Sequence, residues 1–469
     1  MSRQIQPDYE TQYLFPRSLE EWVGADDPAR FIREFVRELD LDALRSADEA
    51  AVARDTTGRP RYSLELLLGL WLYAYSHGMT SSREVERGCR TLLPLIWLAG
   101  THQPDHNTLW RFWNQHRDKL HQIFVQSVKV AIKSGAVGMV LHAVDGTKIV
   151  SRGSKRSEWH RRDLQKLLAA AETRLVKLET EIAAAGSGEG VDDRLPEPLQ
   201  KQKTLVEKIR GSLAELDREQ QDHLQPADRE ARMMMMSNGK TAFAHNAQAV
   251  VDQKSGIIVA QGVTDEANDQ RQLVPMLEQV AENAERTAET TVADRGYDTA
   301  EGLGGAAERG ANVVVASKVD RERASEYHAV RFRFDEDRDQ VVCPRGESLD
   351  RQGTRHHKQK PYAVMTYRCH VTTCPVKSLC SRDPKGRVIE VNPHHAAIAR
   401  NQQALADPEI RKLMRDRSAI VERIFAEIKE TVGFRRWTMA GKAKVAAQWA
   451  LMCTAMNLRR MISAQNAPG

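Results

Sequence analysis

The sequence predicts an α/β protein: a mixed-sheet core that follows an all-α N-terminal region and is interrupted by two inserts. Three observations predict it. Between about Tyr62 and Phe124 apolar residues recur at helical spacing, and from Val137 onward short β-favouring runs alternate with helical ones. Between those runs lie a heptad-patterned stretch and a cysteine-bearing stretch that the core pattern does not need. At 469 residues the chain has room for two or three domains.

Residues 1–130 are read as a compact helical domain. Leu64, Leu67, Leu68, Trp71, Leu72 and Tyr75 line one helix, and Val85, Leu92, Ile96, Leu98, Leu109 and Phe112 carry the period into others. Breaks at Gly78-Met79-Thr80 and around Gln103-Pro104-Asp105 divide them. Thr80 to Glu84 offers an N-cap with a nearby acid, and Asp105 to Thr108 offers a second cap. Trp110, Arg111, His116, Arg117 and Lys119 can line a face that touches a nucleic-acid backbone. A helix-turn-helix and a purely structural helical cap both fit this pattern.

The run G-M-V-L-H-A-V-D is expected to form the first strand and to end at the Asp145-Gly146 turn pair. Further strands are predicted at Ala242–Asp252, Gly256–Val263, Thr290–Ala293 and Asn312–Ala316, the first two of these joined as a hairpin. A helix is predicted over Gln270–Ala284, with Leu273, Met276, Leu277 and Val280 on one face. If the first and fourth strands are parallel neighbours, ~4.8 Å apart, Asp145 and Asp294 emerge side by side at their carboxyl ends, where open α/β sheets commonly hold ligands. Asp252 and Asp269 read as a turn residue and a helix N-cap.

The first insert, residues 155–232, carries Leu164, Leu168, Ala171, Leu175, Leu178 and Ile182 at alternating spacings of four and three. Leu199, Gln202, Val206, Ile209, Leu213 and Leu216 repeat the alternation after a glycine-rich break. That is the seam of an antiparallel coiled-coil hairpin, its first arm running from Glu158 to Ala185 over roughly 40 Å. It fits a passive insertion as well as dimerisation or the bracing of DNA. The second insert, residues 319–401, holds Cys343, Cys369, Cys374 and Cys380. In a reducing compartment such a cluster points to metal before disulfide, and its spacing leaves both tetrahedral zinc and free structural thiols open.

A last amphipathic helix has Val421, Ile424, Phe425, Ile428 and Val432 as its apolar stripe, with Glu422 and Lys429, seven apart, on a neighbouring face. From Arg411 to Met461 the chain has 12 Arg and Lys against 4 Asp and Glu, although the whole carries only +5. A surplus of that kind fits a polyanion partner or a solvated basic helix. Two carboxylates brought within ~5 Å of each other would repel by roughly 3 kcal/mol at an effective dielectric of 20. Asp145, Asp294 and Glu422 gathered in one place therefore predict a Mg²⁺ site and phosphoryl-transfer chemistry. No stretch approaches the ~18 apolar residues of a membrane span, and the N-terminus lacks a signal-peptide pattern, so a cytoplasmic protein is expected.

Taken in order, the blocks L-E-L-L-L-G-L-W-L-Y-A-Y, R-E-V-E-R, P-D-H-N-T-L-W-R-F-W, V-D-G-T-K, H-N-A-Q-A-V-V-D, N-D-Q, A-D-R-G-Y-D, V-E-R-I-F-A-E-I-K and W-A-L-M-C-T-A-M-N-L-R-R resemble the DDE transposases of bacterial insertion sequences over nearly the whole chain. The resemblance implies a ribonuclease-H-like catalytic core over residues 137–460 and a helical DNA-binding domain over 1–130. Asp145 matches the family's first catalytic aspartate, Asp294 the second and Glu422 the glutamate. Two Mg²⁺ ions are implied among them, with Mn²⁺ able to substitute, for cutting and joining DNA at transposon ends.

Lys429 fits the lysine that follows the family's glutamate. Met414 or Arg415 stands in its tyrosine region, and Ser418 stands four residues before Glu422 with Arg417 beside it. Lys429 is expected on the DNA backbone as a point charge, with Arg417 or Arg423 forking onto a phosphate. Arg435, Arg436 and Arg111 are further expected DNA contacts. The implied partners are double-stranded DNA, as transposon ends and target, and further copies of the chain in a homodimer or larger assembly on the bacterial nucleoid. A catalytically silent end-binding protein and a metal-dependent nuclease without strand joining are the alternatives.

Overall fold

The computed structural model describes residues 18–46, 61–154, 157–184, 197–318, 324–357, 362–371 and 373–466. The extreme N-terminus and the tip of the predicted hairpin lie outside the described residues.

Six strands form the central sheet, five of them β1 (Leu141–Val150), β2 (Thr241–Asp252), β3 (Ile258–Thr264), β4 (Thr290–Ala293) and β5 (Val313–Val315). Their spatial order is β3-β2-β1-β4-β5, with a short strand, Arg232–Met235, beside the start of β2. β2 is antiparallel to β1 and β3, whereas β4 and β5 run parallel to β1. From Phe243 to Asp252 every residue of β2 is buried. A strand covered on both faces loses the alternation of a half-exposed one, and the apolar residues of this segment are interrupted by His245, Asn246 and Gln248 before it ends at Asp252.

The Asp145-Gly146 pair is not a turn. β1 continues through it to Val150, because β2 offers an unbroken antiparallel partner as far as Val150↔Ala244. The Asp-Gly turn preference is overridden by that ladder. Asp269 is not an N-cap either: the helix starts at Leu273, preceded by Gln272, which makes no side-chain cap. Asp252 ends β2 and does more than turn the chain. Its buried carboxylate accepts hydrogen bonds from Gly138 N, Met139 N and Lys254 N, which ties the entry of β1 to the hairpin.

The N-terminal region supplies helices Pro28–Glu38, Leu64–Ser76, Ser82–Thr91, Leu93–Leu98, His106–His116 and Leu120–Lys133. Ser81 and Glu84 form a reciprocal capping box, and Asp105 accepts from Thr108 N at 2.6 Å. Leu64–Ser76 is buried nearly all round. It lies between Pro28–Glu38 and the C-terminal helix Lys442–Gln465, so the buried residues from Val23 to Met461 make one continuous core shared with the sheet. The face expected to touch a nucleic-acid backbone is reduced: His116 is 1% exposed, and Arg117 bonds to Asn114, while Arg111 remains exposed.

The first insert is a pair of helices, Arg161–Ala184 and Glu197–Arg218. Leu164 and Ala171 meet Val206, Ile209 and Leu216 along the seam, flanked by Leu168, Leu175 and Leu213. The first helix begins three residues later than predicted because Trp159 and His160 pair as a short strand with Leu224 and His223. In the second insert five short strands from Arg333 to Val391 form an antiparallel meander with its own core of Val341, Leu349, Tyr367, Ile389 and Val391. The predicted boundary at residue 401 overshoots. Helix His395–Ala404 already packs on the central sheet, where the Asn401 amide bonds both Val315 N and Val315 O. No helix among the described residues is long and apolar enough to cross a membrane.

Candidate active site

The parallel pairing of β1 and β4 aligns Val144 with Ala293, so the next residue on each strand is Asp145 and Asp294. β4 ends there. Asp294 caps a turn of 3₁₀ helix through its bond from Gly296 N at 2.7 Å, while Asp145 Oδ1 accepts from its neighbour Gly146 N at 2.8 Å. Asp145 Oδ2 accepts from Arg417 Nη1 at 3.0 Å, and both side chains are largely buried. Burial pushes the Asp145 carboxyl up to about 6; Arg417 and the Gly146 N–H pull it down, and the Asp294 charge pushes it further up. The two aspartates therefore act on one another, and a guanidinium holds the position of counter-charge.

Beneath them lies a polar network the sequence reading missed. Asp269 Oδ1 accepts from Asn246 Nδ2 at 2.7 Å and from Gln248 Nε2 at 2.6 Å, and Gln248 Oε1 accepts from the buried Tyr297 hydroxyl. Burial holds the Tyr297 phenol well above its ordinary range, reinforced by the charges of Asp269, Asp145 and Asp294, so it remains a donor. The available signal was the pair Asn246 and Gln248, two apart on one face of an otherwise apolar buried strand. Gly146 lies directly over this network, and Asp269 reaches towards Gly296 as well.

Glu422 is on helix Pro408–Ala426, exposed, and makes no hydrogen bond or ion pair with a described residue. The arrangement brings Asp145 and Asp294 together and leaves Glu422 outside their contacts. Instead the same helix delivers Arg417 to Asp145. Lys429 sits in a π-helical turn, Glu427–Thr431. Burial pushes its ammonium pKa down.

Several of the basic side chains between Arg411 and Met461 bond within the fold. Arg435 bonds Lys429 O and Glu430, Arg459 and Arg460 pair with Glu427, and Lys442 pairs with Asp265. Arg436 Nη1 donates to Ser151 O at 2.8 Å and Gly153 O at 2.9 Å, which pins the exit of β1 to the C-terminal segment. Arg436→Ala is thus expected to lower stability by about 1–3 kcal/mol, read by urea unfolding. An unchanged midpoint would return Arg436 to the role of a surface DNA contact. Arg423 is exposed.

Burial pushes the Cys380 thiol up; Arg387 opposes this, and Cys369, Cys343 and Cys374 each add to it. All four are free. Among the described residues their sulfurs do not form a set lying within 4.8 Å of one another.

Residues 342–462 match the model of the family described as Transposase DDE domain, and residues 17–115 match that of the Transposase domain (DUF772). The first match contains Glu422 and the four cysteines of the second insert, whereas Asp145 and Asp294 lie ahead of it in sequence. No curated protein and no solved structure matches the chain. Two transposase family models thus lie on either side, in sequence, of the sheet that aligns the two aspartates, and together they support a DDE transposase of insertion-sequence type.

Proposed function

We propose that this transposase cuts DNA at the inverted-repeat ends of its element and joins them to a target, with Asp145, Asp294 and Glu422 as metal-binding carboxylates. The observation that carries the proposal is the register Val144↔Ala293, which sets Asp145 beside Asp294 at the end of a parallel strand pair. The order β3-β2-β1-β4-β5 with only β2 reversed supports a ribonuclease-H-like core.

The residues fit a pair of Mg²⁺ ions. A carboxyl pushed up to about 6 beside a second carboxylate is a group short of positive charge. Bound divalent cations would supply an ionised water or 3′-hydroxyl for in-line attack on phosphate. Asp145 and Asp294 offer oxygens from adjacent strands, and Glu422 offers a third carboxylate from a helix that already reaches the site through Arg417. Arg417, once released from Asp145, is placed to fork onto a DNA phosphate. Tyr297 and Gln248 hold Asp269 fixed below.

The seam of Leu164, Ala171, Val206, Ile209 and Leu216 supports an antiparallel coiled coil in the first insert, whereas the sulfurs of Cys343, Cys369, Cys374 and Cys380 do not lie close enough together to fit a tetrahedral Zn²⁺.

The test incubates the purified chain with labelled terminal inverted repeats and a target plasmid, in Mg²⁺ or in EDTA. Cleavage with joined product in Mg²⁺ alone is expected. Binding without cleavage under every metal condition would overturn the proposal.

A further inference from the structure

We infer that Glu158, His160 and His223 form a binding site for a divalent transition-metal ion at the root of the helical hairpin, apart from the carboxylates of the sheet and the cysteines of the second insert. The ligand atoms of these three side chains all lie within 4.8 Å of one another. Strand pairing explains why. His160 stands directly opposite His223 in the short antiparallel ladder, so both imidazoles leave the same face, and Glu158, two residues before His160, shares it. The two rings meet edge to face at 4.6 Å, and His223 Nδ1 donates to Glu158 Oε1 at 2.8 Å. Ligands bound ~2.0–2.1 Å from one tetrahedral metal sit about 3.3 Å apart, so an ion can take the place of that proton once the pair opens by about half an ångström.

The surroundings favour a cation. The Glu158 side chain is only 9% exposed, so its carboxylate has lost most of its water. Neighbouring Arg161 does not compete, because its guanidinium is held by Asp217, Asp222 and Gln221 O. On the other side of the ladder Trp159 and Leu224 pack into the hairpin core, which fixes the face that carries the ligands. Two imidazoles and one carboxylate suit Zn²⁺, Co²⁺ or Ni²⁺ and not Mg²⁺, whose preference is for oxygen. Because His160 and His223 bracket both helices, the ion would clasp the hairpin where it leaves the catalytic core.

The experiment titrates the untagged full chain with Co²⁺, Mg²⁺ being kept in excess, and follows visible absorption. One equivalent is expected to bind with ligand-field bands and no thiolate charge-transfer band, at least tenfold more weakly in H160Q and H223Q, and unchanged in a C369S/C374S variant. Equal affinity in wild type and H160Q, or loss confined to C369S/C374S, overturns the inference. Should the histidine variants lose the hairpin by circular dichroism, X-ray absorption of Co²⁺-loaded C369S/C374S decides: two imidazoles in the first shell uphold the site, and none sinks it.

Discussion

Asp145→Asn is expected to reduce strand cleavage by roughly 10³-fold or more and, in EDTA above pH 6, to make the folded chain more stable than wild type. The two effects share one cause. The native fold holds the Asp145 carboxyl at about 6, above its ordinary value of 3.8, so keeping the group ionised costs folding free energy. With the folded value raised, the favourable contribution is complete below the unfolded value and is lost as pH rises through about 6. At pH 8 the neutral asparagine avoids a penalty of about 2–3 kcal/mol, and the two proteins converge as the pH falls towards 4. Thermal melts of both proteins from pH 4 to 8 in EDTA check the stability half, and the cleavage assay checks the other. A variant less stable than wild type at pH 8 would mean that the Arg417 pair outweighs burial. Added Mg²⁺ should narrow the gap by stabilising wild type alone.

Gly146→Ala should be nearly as damaging to activity although it removes no functional group. A Cβ at this position would stand 2.5 Å from Asp269 Oδ1 and 3.0 Å from Asn246 Oδ1, and closer still to the Gln248 amide. All three belong to the bonded network under the aspartates, so a few tenths of an ångström of relief is not available without breaking a buried hydrogen bond. The expected result is a loss of about 2–4 kcal/mol in urea unfolding together with at least a tenfold fall in cleavage, end binding being kept. Wild-type cleavage in this variant would show that the network does not position the site. The glycine of V-D-G-T-K is therefore a space requirement in a continuous strand, not a turn.

That reassignment marks how far the sequence could be read. β-favouring runs located five of the six strands of the central sheet and missed Arg232–Met235, and Asp145 and Asp294 were legible because each follows such a run. Asn246, Gln248, Asp269 and Tyr297 fall in the quoted blocks, yet their purpose was hidden, since a hydrogen-bond network joins strand, loop and 3₁₀ turn only in space. The basic C-terminal segment was legible only as a count. Arg417, Arg459 and Arg460 are paired with carboxylates within the fold, while Arg411, Lys412, Arg415, Arg423, Arg435 and Arg436 are exposed. Net charge counts ionisable groups and carries no information about which of them meet.

The sequence by itself indicated the element order, the heptad spacing and the two aspartates that follow β-favouring runs, because each rests on a local period or spacing. Only the tertiary structure decided that Asp145 lies mid-strand, that Arg417 and not Glu422 meets it, that Asp269 serves the site, and that two histidines and a glutamate converge at the hairpin root. Those outcomes depend on register and on which helix face turns inward, and both are set by long-range packing, which no local window of sequence contains.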